Sequence, residues 1–330
     1  MRKNKFISLV ILIVLLFNNY QVYAITNTNL YNLKDTENIE ETIDFLCSDE
    51  CKGRVVASEE NLKAAEFIKK YFEEIKLEPF EQDDFYCETG LRYRGREEFA
   101  INNIAGVIKG KSSDNPVFLT AHFDHIKDEN GEKLMGAIDN ASGVSVVLET
   151  ARKLKEMSKE NLLENDVIIV TYNAEETGLN GSNEFMKKYH SKYKNCYNIN
   201  IDCVGVKDSS GLAMGNNDDK SESLYIAMRN IFDEEGVKYN NNIYATKNGV
   251  IRGTSDHQIF RMYGYPAIVL GDDNIFDTVH TKNDNLSKVD FEALEKLSEV
   301  LSKFIYENRY KIEETTGNEL SSCYFLWLFS

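Results

Sequence analysis

The stretch VFLTAHFDH, residues 117–125, decides the fold. Residues 117–121 form a short apolar run of the kind a strand shows when both its faces are buried, and His122, Phe123, Asp124 and His125 follow without a break. The same arrangement recurs downstream. The run at 167–172 is followed by Asn173, Ala174, Glu175 and Glu176, the run at 199–201 by Asp202, and the run at 267–270 by a loop that reaches His280. Helical periods lie between and around these runs, at 143–155 and 179–189, through Ile39, Ile43 and Leu46, and through Leu294, Leu297, Leu301, Phe304 and Ile305. A further helix is predicted after Ser58, with Glu59 and Glu60 in its first turn and Leu62, Ala65, Ile68, Phe72 and Ile75 as its apolar stripe. Strands alternating with helices predict an α/β fold, with a mixed, mainly parallel central sheet and helices on both faces.

In an open parallel sheet the carboxyl ends of the strands line the ligand crevice. Three strand ends therefore bring His122, Asp124, Glu175, Glu176 and Asp202 to one rim, and His280 arrives from the loop after a fourth. Asp139, just before Asn140-Ala141-Ser142-Gly143, sits at the mouth of the helix that follows. Two imidazoles and several carboxylates gathered in one place repel each other unless a cation holds them. Imidazole with carboxylate and no thiolate suits zinc, with cobalt or manganese as substitutes.

The donors suffice for two zinc ions. One takes His122, Asp139 and Asp202, the other Asp139, Glu176 and His280, and the shared Asp139 carboxylate with a bridging water holds the ions about 3.5–4 Å apart. Glu175 adjoins a ligand without being one. It is the candidate general base and acid, taking a proton from water and returning it to a leaving amine. Asp124, two residues past His122 and hence on the same face of a strand, is predicted to accept the other ring N–H of that histidine. Each piece alone is ordinary: paired glutamates usually face solvent, an aspartate before a helix is often a cap, and a loop histidine needs no ligand. Their joint arrival at strand ends is what makes a site.

The segments TAHFDH, GAIDNASG, NAEETGLNGS, NIDCVG, TSDHQIF and VHTKNDN, in this order and spacing, resemble the motifs of the co-catalytic di-zinc aminopeptidases. That superfamily also holds glutamate carboxypeptidase II, transferrin receptor and glutaminyl cyclase. The upstream LCSDECKGR segment is similar to the region that leads into the family's domain, so the resemblance runs from about residue 45 to about residue 308. It implies a three-layer zinc-peptidase sandwich in which His122 and Asp202 serve one zinc, Glu176 and His280 the other, and Asp139 bridges. Glu175 would be the base and Asp124 would orient His122. His280, Thr281 and Asp284 match the family's His-Thr-x-x-Asp tail, with Asn285 where a threonine is common. Ser255-Asp256-His257 matches an element near the family's substrate cleft and is read as non-ligating.

The rest of the sequence bounds the setting. With 54 Asp+Glu against 38 Lys+Arg, a net charge of −16 and no local basic patch, nucleic acid is excluded as a partner. MRKNK followed by FISLVILIVLLF and Val22-Tyr23-Ala24 reads as a cleaved export signal, residues 1–24, with an uncleaved membrane anchor as the alternative, because the apolar run is shorter than the ~20 residues that span a bilayer. A linker is expected at 25–35, a single catalytic domain at 36–310 and a tail at 311–330, which places the protein outside the cell or on its envelope. The tail's apolar end, CYFLWLF, is expected to dock on the protein's own surface, with a membrane surface or a partner as the alternative. The even count of six cysteines permits disulfides in an oxidising space, and their pairing is left open.

The expected activity is hydrolysis of N-terminal peptide bonds in peptides or proteins. Three alternatives stand beside it: a glutaminyl-cyclase-like acyltransferase, which would hold one zinc; a carboxypeptidase for acidic residues, for which Arg252 is the one basic candidate; and a binding module on a decayed peptidase fold, which would lack ligands.

Overall fold

The helices that open the described chain show what the sequence pattern read well and where it erred. The computed structural model describes residues 39–312, except 82, 94–96, 244–245, 248–249, 252–253 and 274. The predicted signal and linker, the apolar tail with Cys323, and Arg252 lie outside the described residues. Helix α1 (Ile39–Cys47) buries Ile39, Ile43 and Leu46. Helix α2 (Glu59–Glu74) is capped by Ser58, whose Oγ accepts the Asn61 N–H at 3.1 Å. Its buried stripe runs through Asn61, Ala64, Ala65, Phe67, Ile68, Tyr71 and Phe72, while Leu62 is 52% exposed. Leu62 was expected inside. Asn61 takes the inward position instead, because its amide meets buried polar partners described below.

The chain continues through β1 (Glu78–Pro79), β2 (Tyr86–Tyr93), β3 (Glu97–Ile108) and β4 (Ser112–His122). An irregular turn at Ala137–Ser142 leads into α3 (Gly143–Met157), then β5 (Asn165–Tyr172), α4 (Asn180–Tyr189) and β6 (Tyr197–Ile201). After these come β7 (Leu212–Gly215), α5 (Glu222–Glu235), β8 (Tyr239–Ile243), β9 (Thr246–Lys247), β10 (Val250–Ile251), α6 (His257–Met262), β11 (Ala267–Leu270) and α7 (Phe291–Tyr306).

Seven strands make the central sheet, in the order β1-β3-β5-β4-β6-β11, with β2 also paired to β3. Strands β5, β4, β6 and β11 run parallel, while β3 is antiparallel to β5, β1 and β2. The sheet is thus mixed, and the parallel part is the one that the apolar runs announced. Its register sets the site: Thr120 pairs with Asn200, His122 with Tyr172, and Ile201 with Leu270. His122, Asn173 and Asp202 therefore emerge at one level.

Both faces of the sheet are covered. On one, Phe118, Val170 and Tyr172 pack with Phe185 and Tyr189 of α4 and Phe260 of α6. On the other, α1, α3 and α7 contact one another, and α2 lies over β3. Gly106 explains how close that helix comes: a Cβ there would sit 2.9 Å from Leu77 Cδ1 and 3.1 Å from Phe72 Cδ2. Each large aliphatic or aromatic side chain buried in these layers contributes roughly 1.5–3 kcal/mol. Among the described residues no helix is long and apolar enough to cross a membrane.

Candidate metal centre

The first triad forms where β4 and β6 end. His122 Nε2 lies 3.3 Å from Asp139 Oδ1 and 3.3 Å from Asp202 Oδ1. Asp202 follows β6 directly, and Asp139 comes from the irregular turn before α3, where its backbone is non-helical and the Asp139–Asn140 peptide is cis. Asn140 ties the two acids together. Its amide donates to Ile201 O at 2.9 Å, and its Oδ1 accepts the N–H groups of Gly143 and Cys203. Asp284 holds the same turn from the other side, its carboxylate accepting the N–H groups of Ile138 at 2.6 Å and Asp139 at 3.1 Å.

The second triad uses the other oxygen of Asp139. His280 Nε2 is 2.9 Å from Asp139 Oδ2 and 3.0 Å from Glu176 Oε2. All five predicted ligands therefore converge, in two groups that share Asp139. An ion bound tetrahedrally at zinc's usual 2.0–2.1 Å holds its donors about 3.3 Å apart, and these separations come close to that edge. The residues present fit zinc in donor type as well, since both groups combine imidazole with carboxylate.

His125 also joins the second group. Its ring is buried, with Nδ1 3.1 Å from Glu176 Oε1, and His125, Asp139 and Glu176 offer donor atoms within 4.8 Å of one another. Sequence reasoning quoted this residue and gave it no role.

Asp124 differs from its expected role. Its carboxylate is 3.7 Å from His122 Nδ1, beyond hydrogen-bond reach, and the nearer group is its own main-chain carbonyl at 3.3 Å. The two carboxylate oxygens instead accept the N–H groups of Glu175 at 3.0 Å and Glu176 at 3.2 Å. Ala174 stands in the left-handed region, φ +62°, so the turn after β5 presents consecutive N–H groups as a nest for an anion. Asp124 fills it and fixes both glutamates.

Beneath these residues runs a buried polar frame that the sequence did not disclose. Arg54 has no exposed surface and donates to Phe123 O (2.7 Å), Leu46 O (3.1 Å), Met135 O (2.9 Å) and Gly136 O (2.8 Å). Its own carbonyl accepts from the His125 N–H and the Asn61 amide. Asn61 and Asn173 exchange amide hydrogen bonds at 3.0 and 2.9 Å, and Asn103 Oδ1 accepts the Asn173 N–H. One network thus connects the segment carrying His122 to His125, the Asp139 turn, and the strand end carrying Glu175 and Glu176. The LCSDECKGR segment ends in this arginine.

Electrostatics follow from burial of so many acids. Burial pushes the Glu175 carboxyl well above the carboxylate range; His122 opposes the shift, and Asp256, Asp202 and Glu176 add to it. Asp256, with no exposed surface, is pushed up to about 7 by burial, and Asp284 to about 6 by burial and the Asp139 charge. Hydrogen bonds to Asp139 and Glu176 raise His280 to about 11. Burial opposes a proton on His122, but Glu175 and Asp202 outweigh it and hold that imidazole well above its ordinary value. Positive charge is what this cluster demands, from protons or from cations.

Ser255 to His257 abut the site without joining a triad. Ser255 Oγ accepts from Asn200, Asp256 faces Glu175 electrostatically, and His257 is buried beside Gln258. The described cysteines, Cys47, Cys51, Cys87, Cys196 and Cys203, are buried free thiols. Cys203 donates to Asp202 Oδ1 at 3.2 Å. Arg261 is committed to Ala267 O, Asn216 and Asn217.

The fold is similar to that of a solved aminopeptidase of Legionella pneumophila, with a TM-score of 0.62 at 20% identity, covering 87% of this chain and 78% of that one. Residues 103–305 match the model of Peptidase family M28, and the chain belongs to that family. It is 27% identical over 231 residues to aminopeptidase YwaD of Bacillus subtilis, a match taking in 67% of this chain and 47% of that one. The chain spans about half the length of the curated relatives it matches. Among solved structures, a glutaminyl cyclase of Bacteroides thetaiotaomicron, bound to N-acetylhistamine, is similar with a TM-score of 0.64 at 19% identity, covering 85% of this chain and 99% of that one. A Zn-dependent exopeptidase of Parabacteroides distasonis gives 0.63 at 17% identity, covering 84% and 99%. At such identities these likenesses concern the fold.

Proposed function

We propose that the chain is an exported, zinc-dependent aminopeptidase that hydrolyses the N-terminal peptide bond of peptides or proteins. The observation that carries this reading is the convergence of His122, Asp139, Glu176, Asp202 and His280 into two triads sharing Asp139. Membership of a peptidase family and similarity to an aminopeptidase support it. Two zinc ions, or cobalt or manganese in their place, would polarise the scissile carbonyl and acidify water at neutral pH.

The chain's own residues do the rest. Glu175 takes up the proton of the attacking water and passes it to the departing amine, a task that suits a buried carboxyl whose affinity for protons is raised. Asp124 keeps Glu175 and Glu176 in register through their backbone N–H groups, and Asn140 and Asp284 keep Asp139 aimed at both triads. Substrate arrives past His280, whose side chain is 49% exposed while the other predicted ligands are buried. Acid in excess around that opening favours a free ammonium terminus over a blocked one.

A cyclase-like acyltransferase is the runner-up, kept by the fold shared with a solved glutaminyl cyclase. Completeness of the His122 triad favours hydrolysis, since a one-zinc enzyme has no need of both groups. The carboxypeptidase reading rests on Arg252, which lies outside the described residues; Arg261 is committed to Ala267 O, Asn216 and Asn217. Zinc quantification with a panel of aminoacyl chromogenic substrates, their N-acetylated forms and a chelator control tests the proposal. Two zinc ions per chain and cleavage of the free-amine substrates alone support it; one zinc with pyroglutamate release overturns it.

A further inference from the structure

We infer that His125 is a positioning residue for the second triad: its Nδ1–H holds Glu176 Oε1 and so fixes the plane in which that carboxylate faces His280. The inference rests on the metal-centre reading above and deepens it. Glu176 faces His280 Nε2 with both carboxylate oxygens, Oε1 at 3.1 Å and Oε2 at 3.0 Å, and Oε1 is also 3.1 Å from His125 Nδ1. A carboxylate ligand held at one oxygen by a second, buried donor in this way is fixed in both orientation and basicity.

The chain is built around this ring. His125 is 1% exposed, its backbone N–H is held by Arg54 O at 3.3 Å, and its Nε2 is buried with no hydrogen-bond partner among the described residues. Burying an imidazole with one nitrogen unpaired costs free energy, which the Nδ1 contact must offset. Gly136 supplies the space. A Cβ at that position would lie 2.6 Å from His125 Cδ2 and 2.7 Å from Cγ, and its φ of +63° is one that glycine adopts freely.

Direct ligation by His125 is the competing role, since its Nδ1 is near enough to the same acids. Asp139, Glu176 and His280 already supply three protein donors, and a catalytic ion keeps a further position open for water or substrate. A fourth protein donor would occupy it. The positioning role leaves that place free.

Two substitutions in the full chain separate these cases. His125→Asn puts an amide N–H close to where Nδ1–H stands, and His125→Ala removes the donor. Metal affinity is read by competition with a chromophoric chelator, and coordination by the visible absorption of the cobalt-loaded protein. The Ala variant should lose roughly 10–100-fold in affinity for one of two ions, and the Asn variant should recover most of that loss. Both, once saturated with cobalt, should keep the wild-type bands. Unchanged affinity in the Ala variant overturns the inference, as does failure of Asn to rescue; in the latter case altered cobalt bands would mark the imidazole as a ligand. Failure of the underlying metal-centre reading would look different, because the wild-type chain itself would bind neither zinc nor cobalt.

Discussion

Arg54→Ala should cost about 4 kcal/mol of folding stability. The side chain donates to four main-chain carbonyls, of Leu46, Phe123, Met135 and Gly136, and is wholly buried. Each carbonyl left without a donor costs about 1–3 kcal/mol, and about 1 kcal/mol each is appropriate here because water can enter the emptied space. Arg54→Lys keeps the charge but not the planar fork, so about half the loss, ~2 kcal/mol, is expected. These are large fractions of the ~5–15 kcal/mol by which domains are stable. The assay is denaturant unfolding followed by circular dichroism, with zinc chelated so that stability is read without the metal's contribution. An Ala variant within about 1 kcal/mol of the parent would refute the idea that this buried cation frames the site.

Further expectations follow from the same geometry. Glu175→Gln should retain its zinc but lose roughly 10²–10⁴-fold in kcat, measured on a free-amine chromogenic substrate; undiminished turnover would remove the proton-transfer role. Gly136→Ala should destabilise by at least roughly 1–2 kcal/mol from its positive φ alone, and weaken zinc binding as the new Cβ displaces His125. Zinc added to metal-free protein in weak buffer at pH 7 should acidify the solution. His280, raised to about 11, is protonated there and must give up its proton to ligate, so affinity should fall as pH falls. Binding without proton release would contradict that.

The strands that carry the site were legible because burial on both faces leaves continuous apolar runs, as at 167–172, and because acids and histidines follow them at once. Strands β2 and β3 were not. Their residues include Glu, Asn and Gly among the apolar ones, and the antiparallel pairing depends on partners distant in sequence. Leu62 and Asn61 show the limit of periodicity: a helix stripe can turn by one residue when an amide has better company inside than a leucine. Four of the five ligand candidates could be named from position, since each stands at or soon after a strand end or at a helix mouth, whereas His280 lies ten residues past β11 in a loop. His125 could not, because nothing in HFDH says which way the second ring faces; Gly136, eleven residues on, is what makes room for it. Arg54 was equally opaque, as its acceptors are carbonyls, which every residue has. Asp124 was assigned to the ring two residues away, whereas the nest at Glu175 and Glu176 offered it two N–H groups instead of one.

The most direct measurement is anomalous scattering at the zinc edge from crystals of the full chain grown with zinc. We expect two peaks about 3.5–4 Å apart, one beside His122 and Asp202, the other beside Glu176 and His280, with Asp139 between them. A single peak, or peaks away from these five side chains, would contradict a two-metal hydrolytic centre.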